Sequence, residues 1–166
     1  MVRMKFLVDA MLGKLARFLR IFGYDTVYAN DLIEYYNTNP VPDNNLKEYA
    51  QSSNRIIITK DLPFYKNIID NAILLEGEGI YSYLNQLKQK LKLQFNFKIQ
   101  IARCSTCNSP LQGVANKILI KKLVKSETFL NYKEFFQCVN PTCRKVFWNG
   151  PHIADINRKL HNMTKN

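Results

Sequence analysis

The chain has 166 residues, 46% of them hydrophobic and 22% charged, which is a globular composition rather than a disordered one. No apolar run approaches the roughly 18 residues of a membrane helix, and the first acid, Asp9, comes too soon for a secretory leader, so a cytoplasmic protein with no membrane partner is expected. Basic residues outnumber acids 24 to 13, a net charge of +11, which points to a polyanionic partner, most simply nucleic acid.

Met4 to Asp9 reads as a buried strand, and Leu12, Leu15, Ala16 and Leu19 then recur at helical spacing until Gly23 stops the helix. Thr26-Val27-Tyr28 is a short strand, and residues 30–43, with their asparagines and prolines, read as a polar loop. Asp43 or Asn44 is expected to cap a helix running to about Ser52. Arg55 to Thr59 is the clearest strand, Ala72 to Leu75 another, and Tyr81, Leu84, Leu87 and Leu91 mark an amphipathic helix. Strands alternating with helices predict an α/β fold: a parallel sheet with helices on both faces.

Three acids take a meaningful place in that topology. Asp9 ends the first strand, Asp61 follows the third, and Asp43 opens the helix before it; Asp31 is a fourth candidate. Ligands of open parallel sheets bind beyond the carboxyl ends of the strands, so Asp9 and Asp61 should face one crevice that Asp43 can reach. Clustered carboxylates repel one another, and a shared oxygen-liganded Mg²⁺ or Mn²⁺ relieves this while activating water and stabilising a phosphoryl transition state. Lys14, Arg17, Arg20 and Lys60 would form a basic rim for the phosphodiester. The bland alternative makes Asp9 and Asp61 turn residues or helix caps. Asp25, Glu34, Glu48 and Asp70 read as solvated surface charge. The first part holds no histidine, and His152 and His161 are nine apart, so a two-histidine mechanism is disfavoured.

The character changes near residues 95–102, which divides the chain into residues 1–98 and 99–166. The first part holds 13 basic and 10 acidic residues, the second 11 and 3. The second part also contains all four cysteines, as Cys104-x-x-Cys107 and Cys138-x₄-Cys143. Two Cys hairpins around a β-prone insert match a zinc ribbon with a structural Zn²⁺; two disulfides or a redox pair are the alternatives. Arg103, Arg144 and Lys145 offset the thiolate charge. Lys121, Lys122, Arg144, Lys145 and His152 are the candidate RNA contacts here. Phe135, Phe136, Phe147 and Trp148 either stack on bases or pack a small core.

Leu7 to Thr26 resembles the opening motif of the PIN-like ribonuclease family named after the C-terminal domain of the Mut-seven exonucleases. Arg55 to Asp61 is similar to that family's R-hydrophobic-T-[RK]-D motif, and Cys104 to Cys107 with Val146 to His152 resemble its appended zinc ribbon and closing motif. The resemblance implies a PIN-like three-layer fold with a C-terminal zinc ribbon and helix. It also implies a Mg²⁺- or Mn²⁺-dependent RNA-cleaving site in which Asp9, Asp61 and Asp43 are the acids. Asn44 and Asn45 follow Asp43 where the family often carries further acids. The expected function is a metal-dependent ribonuclease whose ribbon aids RNA binding, with DNA a possible substrate. The alternative is a catalytically degenerate RNA- or ribosome-binding adaptor.

Overall fold

Lys5–Val8 (β1), Asp25–Tyr28 (β2), Ile56–Thr59 (β3) and Ala72–Leu74 (β4) form a parallel sheet in the order β2-β1-β3-β4. This is a computed structural model that describes residues 4–68 and 70–163. The chain divides into two compact units, one holding residues up to Arg20 with Tyr24–Gln94, the other Ile21–Gly23 with Phe95 onward.

In the first unit the strands are short and apolar because the sheet is buried on both faces. Leu7, Val27 and Ile57 pack with Leu46 and Ala50 of Asp43–Ser52 (α3) and with Phe64 of Leu62–Lys66 (α4). Side chains alternate along a strand, so Phe6, Val8 and Ile58 point the other way, and they are equally buried. Gly13–Ile21 (α1) and Ile80–Leu91 (α5) bury the stripes Leu15, Leu19 and Leu84, Leu87, and Phe18 meets Tyr81 edge to face. The polar loop expected at 30–43 instead contains a 3₁₀ turn at Ala29–Leu32 and a short helix, Ile33–Tyr36 (α2). Leu32 and Val41 bury themselves in the α3-side core, which orders a segment whose composition reads as loop.

Two expectations about single charges change. Asp43 does not cap α3: Pro42 takes the cap position with an extended backbone, and Asp43 is the first helical residue. Asp25 is not free surface charge, since Arg55 Nη1 donates to Asp25 Oδ1 at 2.8 Å and also to the carbonyls of Asp25 and Phe6. That bond ties the amino ends of β1, β2 and β3 together, opposite the end that carries Asp9 and Asp61.

In the second unit Leu111–Gly113 (β5), Phe136–Cys138 (β6) and Val146–Phe147 (β7) form an antiparallel sheet in that order. A 3₁₀ turn at Lys117–Ile120 and the helix Ser126–Asn131 (α6) lie between β5 and β6, and Pro151–Met163 (α7) follows. The cluster beside this sheet is small: Ile120, Phe135 and Val146, with Trp148, Tyr132 and Phe129 half-buried around them. Among the described residues no helix is long and apolar enough to cross a membrane.

Candidate functional site

The sheet places Asp9 and Asp61 at one end. Asp9 N donates to Ile58 O at 3.0 Å, so the β1–β3 ladder continues one residue past β1 and holds Asp9 beside Thr59. Asp9 Oδ1 accepts from Ala10 N at 2.6 Å and caps the 3₁₀ turn Ala10–Leu12, while Oδ2 accepts the Thr59 hydroxyl at 2.5 Å. The same hydroxyl accepts from Asp61 N at 2.9 Å. Asp61 Oδ1 in turn caps α4 by accepting from Phe64 N at 2.7 Å. Both acids therefore are caps, as the bland reading held, yet each cap occupies only one carboxylate oxygen.

Asp43 has no hydrogen-bond partner among the described residues. Its carboxyl is pushed above the usual carboxylate range, by desolvation first and then by the charges of Asp61 and Asp9. The three acids thus share one electrostatic field. They are not drawn as tightly together as the cysteines: among the described residues only the four sulfurs form a set of three or more ligand atoms all within 4.8 Å of one another.

Two residues that motif reading left unassigned complete this end of the sheet. Thr59, fully buried, is one. Tyr28, at the carboxyl end of β2, is the other: its hydroxyl donates to Ala10 O at 2.7 Å and accepts from Asn30 Nδ2 at 3.1 Å. Burial raises its pKa first, with Asp31 and Asp9 adding to this and Arg17 opposing it. A Cβ on Gly13 would meet the Tyr28 ring and hydroxyl at 3.0 Å, so a glycine opens α1 where the phenol crosses it. A polar residue closing the apolar run Ile56-Ile57-Ile58 was the sequence signal for Thr59; nothing local marked Tyr28.

The basic rim divides. Lys14 and Arg17 are exposed on α1, with no partner among the described residues. Arg20 is a correction: it is 2% exposed, its Nε donates to Thr26 O at 2.8 Å, and its guanidinium pairs with Asp31. That pair withdraws Arg20 from a phosphate-facing surface and Asp31 from the candidate acids. Lys60 Nζ bonds Glu78 Oε1 at 2.5 Å and lies 5.5 Å from the Tyr83 ring centroid, and these bonds, Glu78 foremost, raise its pKa.

The cysteines converge as their spacing predicts. Cys104 N donates to Ser109 O, Asn108 N to Cys104 O, and Asn108 takes a left-handed backbone at φ 63°, which folds Cys104–Cys107 into a tight knuckle. Cys138 N donates to Lys145 O and Arg144 N to Asn140 O, with Arg144 at φ 47°, so the four-residue spacing closes into a second knuckle. The sulfurs of Cys104 and Cys143 are 3.7 Å apart and those of Cys107 and Cys138 3.4 Å. Tetrahedral zinc with Zn–S bonds of about 2.3 Å needs sulfurs ~3.8 Å apart, whereas a disulfide needs about 2.05 Å. All four are free thiols, so the donor set fits zinc. Burial pushes the Cys104 and Cys138 thiols up, while Cys107, despite its own desolvation, is drawn down to about 6 chiefly by Ser109. Lys145 reaches Thr106 Oγ1 at 3.1 Å; Lys121, Lys122 and Arg144 are exposed, and His152 is exposed in the first turn of α7. Phe135 is core, beside Trp148 at a centroid distance of 6.2 Å, so these aromatics chiefly pack the ribbon.

The model of one protein family, the Mut7-C RNAse domain, matches residues 4–160. No curated protein and no solved structure matches the chain.

Proposed function

Because the chain belongs to the Mut7-C RNAse domain family, we propose that it is a metal-dependent ribonuclease that hydrolyses RNA at a Mg²⁺ or Mn²⁺ site formed by Asp9, Asp61 and Asp43. The observation that carries this reading is the placement of the three acids toward the carboxyl end of a parallel sheet, where burial first and then the charges of Asp61 and Asp9 raise Asp43. A bound divalent cation would supply charge stabilisation for the phosphoryl transition state and a more acidic water.

The chain's own residues do the rest. Thr59 fixes the orientation of Asp9 and the start of the Asp61 turn through one hydroxyl. Asp9 Oδ2 then has a lone pair left over, and Asp61 Oδ2 and both Asp43 oxygens have no protein partner among the described residues. Lys14 and Arg17, unpaired on α1, hold phosphates of the substrate near this end. In the second unit Cys104, Cys107, Cys138 and Cys143 hold a structural zinc, with no coordination position left for water. The ribbon, residues 99–166, presents Lys121, Lys122, Arg144 and Lys145 to the RNA backbone, and residues 1–98 carry the cleavage site.

The test is Asp9→Asn in the full chain, assayed on single-stranded RNA with added Mn²⁺. Loss of cleavage with unchanged circular dichroism supports the reading; full activity overturns it. Two observations favour the second reading, an RNA- or ribosome-binding adaptor with a degenerate acid site: the acids are less closely gathered than the cysteines, and Asn44 and Asn45 follow Asp43. Wild-type protein that binds RNA yet never cleaves it with either cation decides for the adaptor.

A further inference from the structure

The ribbon contains a cavity that neither the acid site nor the cysteine site uses. It has a volume of about 320 Å³ and is lined by Ile99, Tyr132, Lys133, Glu134, Phe136 and Asn149. Ile99, Tyr132 and Phe136 make apolar walls; Lys133, Glu134 and Asn149 are the polar ones.

The walls are fixed from behind. Lys117 Nζ donates to Tyr132 O at 2.7 Å and lies 4.4 Å from the Phe129 ring centroid. The Tyr132 ring rests against Trp148 at a centroid distance of 6.1 Å. Gly150 N donates back to Trp148 O at 3.1 Å, and a Cβ on Gly150 would meet Trp148 Nε1 at 2.7 Å. The turn that carries Asn149 therefore closes on its own indole, and a side chain at 150 would have to displace that ring. This accounts for the Trp148-Asn149-Gly150 segment, which the cleavage site leaves without a role.

We propose that this cavity is a subsite for one unstacked nucleobase of single-stranded RNA, and that it favours bases carrying an exocyclic amino group. The proposal rests on the RNA-binding reading above. Its volume lies at the lower end of the roughly 300–1,000 Å³ of ligand pockets and is enough for one base. Two aromatic side chains and Ile99 beside three polar side chains match a base that stacks on its face and bonds along its edge. An ionised Glu134 only accepts, so it pairs with donors; at ring position 4 cytosine carries an amino group that gives two N–H donors, where uracil carries a carbonyl and has only its single ring N–H to offer. Asn149 both donates and accepts, which suits the mixed remainder of the edge. Lys133 is placed to meet a flanking phosphate, which carries no sequence information.

Fluorescence anisotropy with labelled hexacytidylate and hexauridylate tests this on the full zinc-loaded chain without added Mg²⁺ or Mn²⁺, so that no cleavage is read. Hexacytidylate should bind roughly tenfold more tightly, and Glu134→Gln should bring the two hexamers to within about a factor of two. Asn149→Ala should also reduce the ratio. Lys133→Ala should weaken both hexamers by a similar factor and leave the ratio intact. Because Glu134, Lys133 and Asn149 are exposed, these variants keep the fold. Equal binding of the two hexamers, a ratio unchanged in Glu134→Gln, or no binding of either overturns the subsite and leaves the cleavage reading to its own Mn²⁺ assay. Free cytidine monophosphate binding as tightly as the hexamer overturns the assignment to RNA.

Discussion

The Thr59 hydroxyl donates to Asp9 Oδ2 at 2.5 Å inside a fully buried strand end. It also accepts from Asp61 N at 2.9 Å, so one side chain sets the position of two strand-end acids. A group that orients a ligating carboxylate typically controls 10–100-fold of affinity or activity. Thr59→Val should therefore lower Mn²⁺-dependent cleavage by roughly 10–100-fold and raise the Mn²⁺ concentration for half-activity. It should also cost about 1–3 kcal/mol, because Asp9 and Asp61 N lose a buried partner. Thr59→Ser should restore cleavage. A Thr59→Val chain that is destabilised but unchanged in its Mn²⁺ titration would make the hydroxyl purely structural.

Asp43→Asn should make the chain more stable and a poorer metal binder at once. Desolvation and the charges of Asp61 and Asp9 raise its folded pKa above the usual 3.8. Between those two values the folded chain holds a proton that the unfolded chain has lost, so stability falls as pH rises through this window. Asparagine is neutral throughout and escapes that fall. The thermal midpoint of Asp43→Asn should exceed that of the wild type at pH 7, and the gap should close below about pH 4. Mn²⁺ affinity by titration calorimetry should drop at least about tenfold, given the loss of one carboxylate. A variant less stable than the wild type at pH 7 would show that Asp43 does not lie in the field of the other two acids.

Arg20→Ala should damage folding and spare RNA binding. Its guanidinium is buried, pairs with Asp31 and donates to Thr26 O at 2.8 Å. Removing one partner of a buried pair costs roughly 3 kcal/mol, here moderated because the Asp31 side chain is 37% exposed. Urea unfolding should show that loss, while Arg17→Ala should weaken RNA binding without it. The reverse pattern would return Arg20 to the phosphate-binding surface.

Arg20 also shows where sequence reasoning stops. Lys14, Arg17 and Arg20 recur every three residues, but a helix turns in 3.6, so each step lags by about 60°. The third member drifts from the solvent face onto the buried one. The sheet was legible because Ile56-Ile57-Ile58 and Phe6-Leu7-Val8 are apolar runs bounded by polar residues, and the topology follows from their alternation with helices. The short α2 was hidden because burial of Leu32 and Val41, not local propensity, orders it. Asp9 and Asp61 could be read from position alone. Thr59 and Tyr28 could not be assigned roles, since these depend on which atoms the folded chain brings within bonding distance. The cysteine centre was fully legible because ligand type and spacing specify it.

Zinc removal should separate the two units. The first unit has a core of nine buried residues on the α3 side of its sheet alone, from Leu7 through Phe64. Beside the ribbon strands of the second, the cluster has three buried members, Ile120, Phe135 and Val146, around which half-buried aromatics collect, while Ile99, Ala102 and Ile156 are buried elsewhere in that unit. A core that small seldom sustains a fold, and the four thiols, all free and within 4.8 Å of one another, are the natural staple. Elemental analysis should find one zinc per chain. Stripping it with a chelator at mildly acidic pH should abolish amide-exchange protection in β5, β6 and β7 while protection in β1 and β3 persists. The Cys107 thiol, at about 6, is the exception among its neighbours, and Cys104 and Cys138 are pushed up. Protons therefore compete with the metal well above neutrality at those two sulfurs, and zinc affinity should climb steeply as pH rises from 6 to 8. After restoring Mn²⁺, cleavage of a short oligonucleotide should continue, and binding of longer RNA should weaken. Loss of protection in β1 and β3 together with β5 to β7 would mean that both units fold as one. Protection in the ribbon that survives a fully zinc-free preparation would mean that the cysteines have another purpose.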